Sequence, residues 1–178
     1  MRVIASIAAG LVLASAGITA QPPKPTPGPE HKRLAFFAGQ WKMEGESKES
    51  PMGPAGKFTG TETCDWFAGG FQLVCHSKGT GPKGPITGMS VLGYDPATKS
   101  YTYYAASSLG DNFFVRGQVQ GKVWTWSDEA TMEGKKIKFA ATVTEESPTS
   151  SSFRLEMSVD GGPMTVVETG KSTKTKTS

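Results

Sequence analysis

Residues 135–159 read KKIKFAATVTEESPTSSSFRLEMSV, two alternating runs separated by Ser147-Pro148-Thr149. In the first run Ile137, Phe139, Ala141 and Val143 share one face, and Lys136, Lys138, Thr142 and Thr144 share the other. In the second, Phe153, Leu155, Met157 and Val159 alternate with Arg154, Glu156, Ser158 and Asp160. A side-chain period of two belongs to a strand with one face buried and one wet, whereas an amphipathic helix repeats every 3.6 residues. Serine, proline and threonine between the runs are turn residues. The stretch is therefore a β-hairpin.

Working outward, the same pattern fills most of the chain. Strands are expected at about 40–48, 57–67, 71–79, 86–94, 100–107, 112–119, 122–127, 135–145, 151–159 and 163–171. The connections suit hairpins: Gly69-Gly70, Asp95-Pro96-Ala97-Thr98, Gln120-Gly121 and Asp160-Gly161-Gly162. Helical periodicity is nearly absent, apart from one short helical turn expected over His31–Ala38. Sequential hairpins make an up-and-down meander. Ten open strands would leave two long unpaired edges, so the chain is expected to be all-β and closed into a ten-stranded antiparallel barrel over 31–171. Its charges fall on the water side of each strand, the reverse of an outer-membrane barrel with its lipid-facing apolar band.

The flanks have different compositions. Arg2 followed by the small and apolar run Val3–Ala16 reads as a secretory signal. Cleavage is compatible with Ala14-Ser15-Ala16 or with Ile18-Thr19-Ala20; the second lies at the change in composition and assigns residues 1–20 to the leader. The run is shorter than the roughly 20 apolar residues that span a bilayer, so no integral membrane segment is expected after cleavage. No cysteine lies in or near the leader to accept a lipid. Residues 21–30 carry five prolines and read as an extended spacer. Residues 172–178 contain only Lys, Thr and Ser and are expected to be a disordered basic tail.

A net charge of +3 over 178 residues is mild, and the lysines are dispersed, so nucleic acid is not an expected partner. The length left after the leader suits one domain with one core. Cys64 and Cys75 flank a hairpin centred between Gly69 and Gly70, which places them opposite each other on one face. In an exported chain that pairing reads as a disulfide. A two-residue turn makes 64/75 a hydrogen-bonded pair, and a four-residue loop makes it the closer, non-hydrogen-bonded kind.

A metal site needs three or four ligands, and the chain offers two cysteines plus His31 and His76. His76 points away from both thiols by strand parity, and His31 is better placed to tie the amino-terminal turn to the barrel bottom. No metal is expected. Glu62 is the acidic residue whose parity puts it inward with Cys64, Trp66 and Leu73, where burial raises a carboxyl pKa; it is the candidate acid or base. Glu168, between Val166 and Gly170, is similarly placed. No G-x-S-x-G elbow marks a nucleophile. A ten-stranded barrel is wider than the roughly eight strands whose interior side chains alone can fill, so a residual cavity is expected.

Gly39-Gln40-Trp41, preceded by His31-Lys32-Arg33-Leu34 and followed by Leu92-Gly93-Tyr94-Asp95-Pro96, Trp124-Thr125-Trp126 and Val159-Asp160-Gly161-Gly162, resembles a bacterial domain-of-unknown-function family of exported proteins. At greater distance it resembles the calycin superfamily of lipocalins and fatty-acid-binding proteins. The resemblance covers His31 to about Lys174 and implies a ligand-binding-type barrel whose Gly-x-Trp tryptophan plugs the closed end. It brings no established catalytic residues. Lipocalins place a late arginine over that tryptophan, where this chain offers Lys171 or Lys174. Nitrobindin, a haem-binding relative, needs a late histidine, and none follows His76, so no cofactor is expected.

Together these readings give a periplasmic or secreted barrel that binds or carries a small hydrophobic ligand, lined by Trp41, Met43, Trp66, Leu73, Phe139, Phe153 and Met157. Two other classes stay open: a cofactor-free isomerase or hydrolase using Glu62 and a tyrosine, and a structural cell-envelope protein with a fully packed core.

Overall fold

The computed structural model describes residues 24–132 and 134–176. The expected leader, and the start of the proline-rich spacer, lie outside the described residues. Ten strands follow one short helical segment, α1 (Pro29–Arg33) running into a 3₁₀ turn over Leu34–Phe36. The strands are β1 (Gly39–Ser47), β2 (Gly56–Trp66), β3 (Leu73–Gly81), β4 (Gly84–Asp95), β5 (Ser100–Ser107), β6 (Asn112–Gln120), β7 (Val123–Met132), β8 (Lys135–Ser147), β9 (Ser150–Val159) and β10 (Thr165–Lys176). Each pairs antiparallel with its neighbour in sequence, and β1 pairs with β10, closing the barrel. The meander and its closure are as the alternation predicts.

Three boundaries differ from the sequence reading. Pro29 and Glu30, assigned to the spacer, form the first turn of α1, where proline's missing N–H costs nothing. β7 runs to Met132 instead of ending at Ser127, pairing with β8 through Met132↔Lys135. Residues 172–176, expected as a disordered tail, are the end of β10, which keeps its register with β1 as Trp41↔Lys174. Their backbone groups are satisfied by the closing ladder, which needs no apolar side chain to form.

Two rows of inward glycines let the wall coil. Gly45 on β1 faces Gly170 on β10, with Phe58 beside the first and Phe153 beside the second. The two rings lie over the glycine pair with centroids 6.0 Å apart. A Cβ on Gly170 would meet the Phe153 ring at 2.3 Å, and one on Gly45 would meet the Thr169 carbonyl at 2.3 Å. On the opposite wall Trp126 lies over Gly117, whose Cβ would stand 2.4 Å from the indole. Glycine kinks covered by aromatic rings are how a sheet bends sharply without exposing backbone.

The main core sits at the end closed by α1. Leu34, Leu73 and Trp124 are fully buried there, with Cys64, Cys75, Leu92 and Tyr101 around them. Trp41 donates its indole N–H to the Phe37 carbonyl at 2.8 Å, and Lys174 Nζ stands 4.7 Å above its ring while donating to the Phe36 carbonyl at 3.0 Å. Of the two late lysines, Lys174 is the one that covers the Gly-x-Trp tryptophan. Partial burial holds the Lys174 ammonium below the ordinary lysine pKa, and cation–π contacts at such partly exposed sites stabilise by roughly 0.5–1 kcal/mol. Arg33 reaches from α1 across the floor to pair with Glu145, lies 4.9 Å from the Trp124 ring, and leaves the Trp124 N–H bonded to the same carboxylate at 2.6 Å. His31 packs edge-on against Phe71 and Tyr94, tying α1 to the turns of that end.

Cys64 and Cys75 form a disulfide across β2 and β3, with Cα atoms 4.0 Å apart. Phe67 N–H bonds to the Gln72 carbonyl and closes a four-residue loop, which makes 64/75 the closer kind of pair. Replacing both cysteines by alanine is expected to lower unfolding free energy by about 2–3 kcal/mol, the entropy of a short cross-linked loop. Urea denaturation of the two proteins checks this, and an unchanged midpoint contradicts it.

Candidate functional site

The other end of the barrel is open. Its loops, β1–β2, β3–β4, β5–β6, β7–β8 and β9–β10, leave a mouth that leads to a cavity of about 810 Å³. The apolar wall includes Met43 from β1, Phe58 from β2, Ile86 from β4, Phe113 from β6, Leu155 from β9 and Val167 from β10. Val167 is brought into the wall by a bulge in β10, where the register with β9 skips from Val166↔Glu156 to Glu168↔Leu155. Ten strands and small inward residues on one wall, Gly60, Gly79 and Gly88, keep this half from filling.

Polar groups enter the cavity at two depths. Near the mouth Glu168 accepts from Ser47 Oγ at 3.3 Å. Burial pushes its carboxyl above the ordinary value of 4.5, and the Ser47 bond opposes the rise. Deeper, Glu62 lies above the disulfide, its carboxylate and the two sulfurs within 4.8 Å of one another. Those sulfurs are bonded to each other, so the trio is no metal site. Burial alone drives the Glu62 pKa upward. Among the described residues no lysine, arginine or histidine forms an ion pair with either glutamate.

Tyr103 from β5 faces the same space. Burial, followed by the charge of Glu62, pushes its phenol up to about 12, and the neighbouring Ser90 hydroxyl partly offsets this. Ser90, in register with Cys75 and Ala105, is only 4% exposed, and its Oγ completes no hydrogen bond of good geometry. A buried unmade hydrogen bond costs about 1–3 kcal/mol. The base of the cavity therefore presents a carboxyl, a phenol and, beside the phenol, a buried hydroxyl.

The sequence-predicted lining is split by height. Met43 borders the cavity. Trp41 and Leu73 are in the closed floor, and Phe139 packs against that floor cluster. Phe153 covers Gly170. Met157 packs with Ile137 and Val167. Trp66 stands at the end of β2 beside the β2–β3 loop, 37% exposed. Six of them are buried or half-buried and Trp66 is exposed, and face alone does not fix distance from the mouth. Ser90 went unnoticed because it stands alone between Gly88 and Leu92; its register opposite Cys75 was the available signal.

Residues 26–172 match a protein family described as "Protein of unknown function (DUF1579)". This chain belongs to the DUF1579 family. No curated protein matches it. Among solved structures, the DUF1579 chain is similar to Rv2717c from M. tuberculosis, with a TM-score of 0.56 and 12% identity over 84% of this chain and 99% of that one. It is also similar to the S-type phycobiliprotein lyase CPES from Guillardia theta, with a TM-score of 0.55 and 10% identity over 84% of this chain and 94% of that one. At these identities the likeness is one of fold: barrels.

A carboxyl whose pKa is raised by folding stabilises fully below its unfolded value and loses that contribution as pH rises through its folded value. The DUF1579 barrel is therefore expected to lose stability relative to its Glu62→Gln variant as pH rises above about 4.5, the unfolded value, with the two closest at pH 4. Denaturation midpoints at pH 4 and pH 8 measure the difference, and parallel pH dependences refute a buried, titrating Glu62.

Proposed function

We propose that this protein is an exported, periplasmic or secreted barrel that binds or carries a small hydrophobic molecule in its open-ended cavity. The observation that carries the reading is the cavity itself: about 810 Å³, walled largely by aliphatic and aromatic side chains and open at one end only. Ligand sites of that kind typically enclose about 300–1,000 Å³ and combine apolar walls with a few convergent polar groups. The convergent groups here are Glu62, Tyr103 and Ser90. A barrel kept only for rigidity gains from filling such a space, because apolar voids cost stability in proportion to their volume.

Export is supported by the leader-like residues 1–20 and by the Cys64–Cys75 disulfide, a bond that persists in oxidising compartments. No helix among the described residues is long and apolar enough to cross a membrane. Loading through the mouth fits a carrier, since Met43, Leu155 and Glu62 line one continuous cavity.

Leu155→Trp, which adds bulk at the cavity wall, is expected to weaken binding of a neutral environment-sensitive apolar dye by at least about tenfold, while Trp66→Ala at the closed end leaves it unchanged. Fluorescence titration of the two variants checks the site. Equal affinities in both, or no dye binding by the parent, count against a ligand cavity at this place.

A further inference from the structure

The ionisable groups at the base of the cavity, Glu62 and Tyr103, are both acids, and that gives the ligand a sign. Resting on the ligand-cavity reading, we propose that the site selects an apolar molecule carrying a protonated amine, seated on Glu62, Ser90 and Tyr103 at the base. An alkylammonium offers three N–H donors. Glu62 supplies a carboxylate, Ser90 Oγ an acceptor that lies beside the Tyr103 phenol without a hydrogen bond of good geometry, and Tyr103 a phenolic oxygen whose proton burial holds in place to about 12.

Charge makes the selection. An isolated buried carboxylate is costly unless a cation accompanies it, and among the described residues no side chain does so for Glu62 or Glu168. A bound ammonium would accompany Glu62 as an ion pair with additional hydrogen bonds from the same nitrogen, the arrangement in which a buried charge is tolerated. A fatty carboxylate would meet two acidic groups on its way in, Glu168 near the mouth and Glu62 at the base. The lysines that border the cavity are Lys48 after β1, Lys83 in the β3–β4 turn and Lys78 on β3; all three are exposed to water. They stand outside the desolvated base, where water screens them.

The selection also runs against the overall charge. At a net +3 the chain repels cations at long range, so a preference for amines must arise inside the barrel. The second carboxyl, Glu168, gives an entering ammonium a resting point, and Ser47 orients it by donating to Oε2.

The experiment compares dodecylammonium, dodecanol and dodecanoate, equal in chain length and different in charge, by competition against a bound neutral dye at pH 7 and submicellar concentration. The amine is expected to bind at least about tenfold more tightly than the alcohol, with dodecanoate weakest. Glu62→Gln is expected to remove most of the amine's advantage while leaving dodecanol within about twofold, and Ser90→Ala to weaken the amine several-fold in a protein whose fold circular dichroism verifies. Dodecanoate binding as tightly as the amine overturns the selection and leaves the ligand cavity standing. So does a Glu62→Gln variant that loses amine and alcohol alike. If none of the three displaces the dye, the selection falls together with the cavity as the site for such chains.

Discussion

The pairing of β1 with β10 is the contact on which everything else in this protein rests. It closes the sheet, and its rungs serve different ends of the molecule. Trp41↔Lys174 builds the floor, Gly45↔Gly170 gives the wall its bend, and Ser47↔Glu168 places a carboxyl near the mouth. Without closure both strands would present a long unpaired backbone edge. Without the glycine rung the aromatic rings of Phe58 and Phe153 would have no recess to occupy. The seam therefore sets both the shape of the cavity and part of its chemistry.

The two halves of the interior are built on opposite principles. At the floor the nitrogen donors are matched: the Trp41 N–H on Phe37, the Trp124 N–H on Glu145, Arg33 on the same carboxylate, and Lys174 on Phe36. Aromatic rings pack edge-on between them, as in the 4.8 Å contact of Tyr101 with Trp124. Above the disulfide the matching stops. Glu62 faces inward without a cation, and Ser90 without a partner. Natural cores satisfy nearly all buried polar atoms, and the exception among the described residues, Ser90 Oγ, lies beside open space.

Face was legible in the sequence, and height was not. A one-residue slip would turn every side chain of a strand over, so alternation fixes which residues point inward. It placed Glu62, Cys64 and Met43 inside, and the symmetry of the β2–β3 hairpin placed Cys75 opposite Cys64. The stagger of tilted strands decides which inward residues reach the floor and which the cavity, and no local pattern encodes it. Trp41 and Met43 are two residues apart on one face, yet one is the plug and the other lines the open half. The strand ends were hidden for a related reason. From Asp128 to Met132, β7 is exposed on both faces, so the alternation that marks a strand is lost. The Lys-Ser-Thr-Lys end of β10 carries no apolar residue, because its inward lysine does the covering.

Because β1 finds its last neighbour in β10, the barrel has no closed intermediate of fewer strands. Hairpins from β2 to β9 can zip in order as sequence neighbours, but the pairing of Gln40 with Lys176 joins residues far apart in the chain. Bringing them together carries the largest loop-closure entropy in the fold, and topologies of this kind fold slowly. Until that seam forms, Trp41 remains without its lysine and the meander keeps two sticky margins. Such a chain stays open to strand pairing with other chains for as long as its last strand is missing, and loses that liability only on completion.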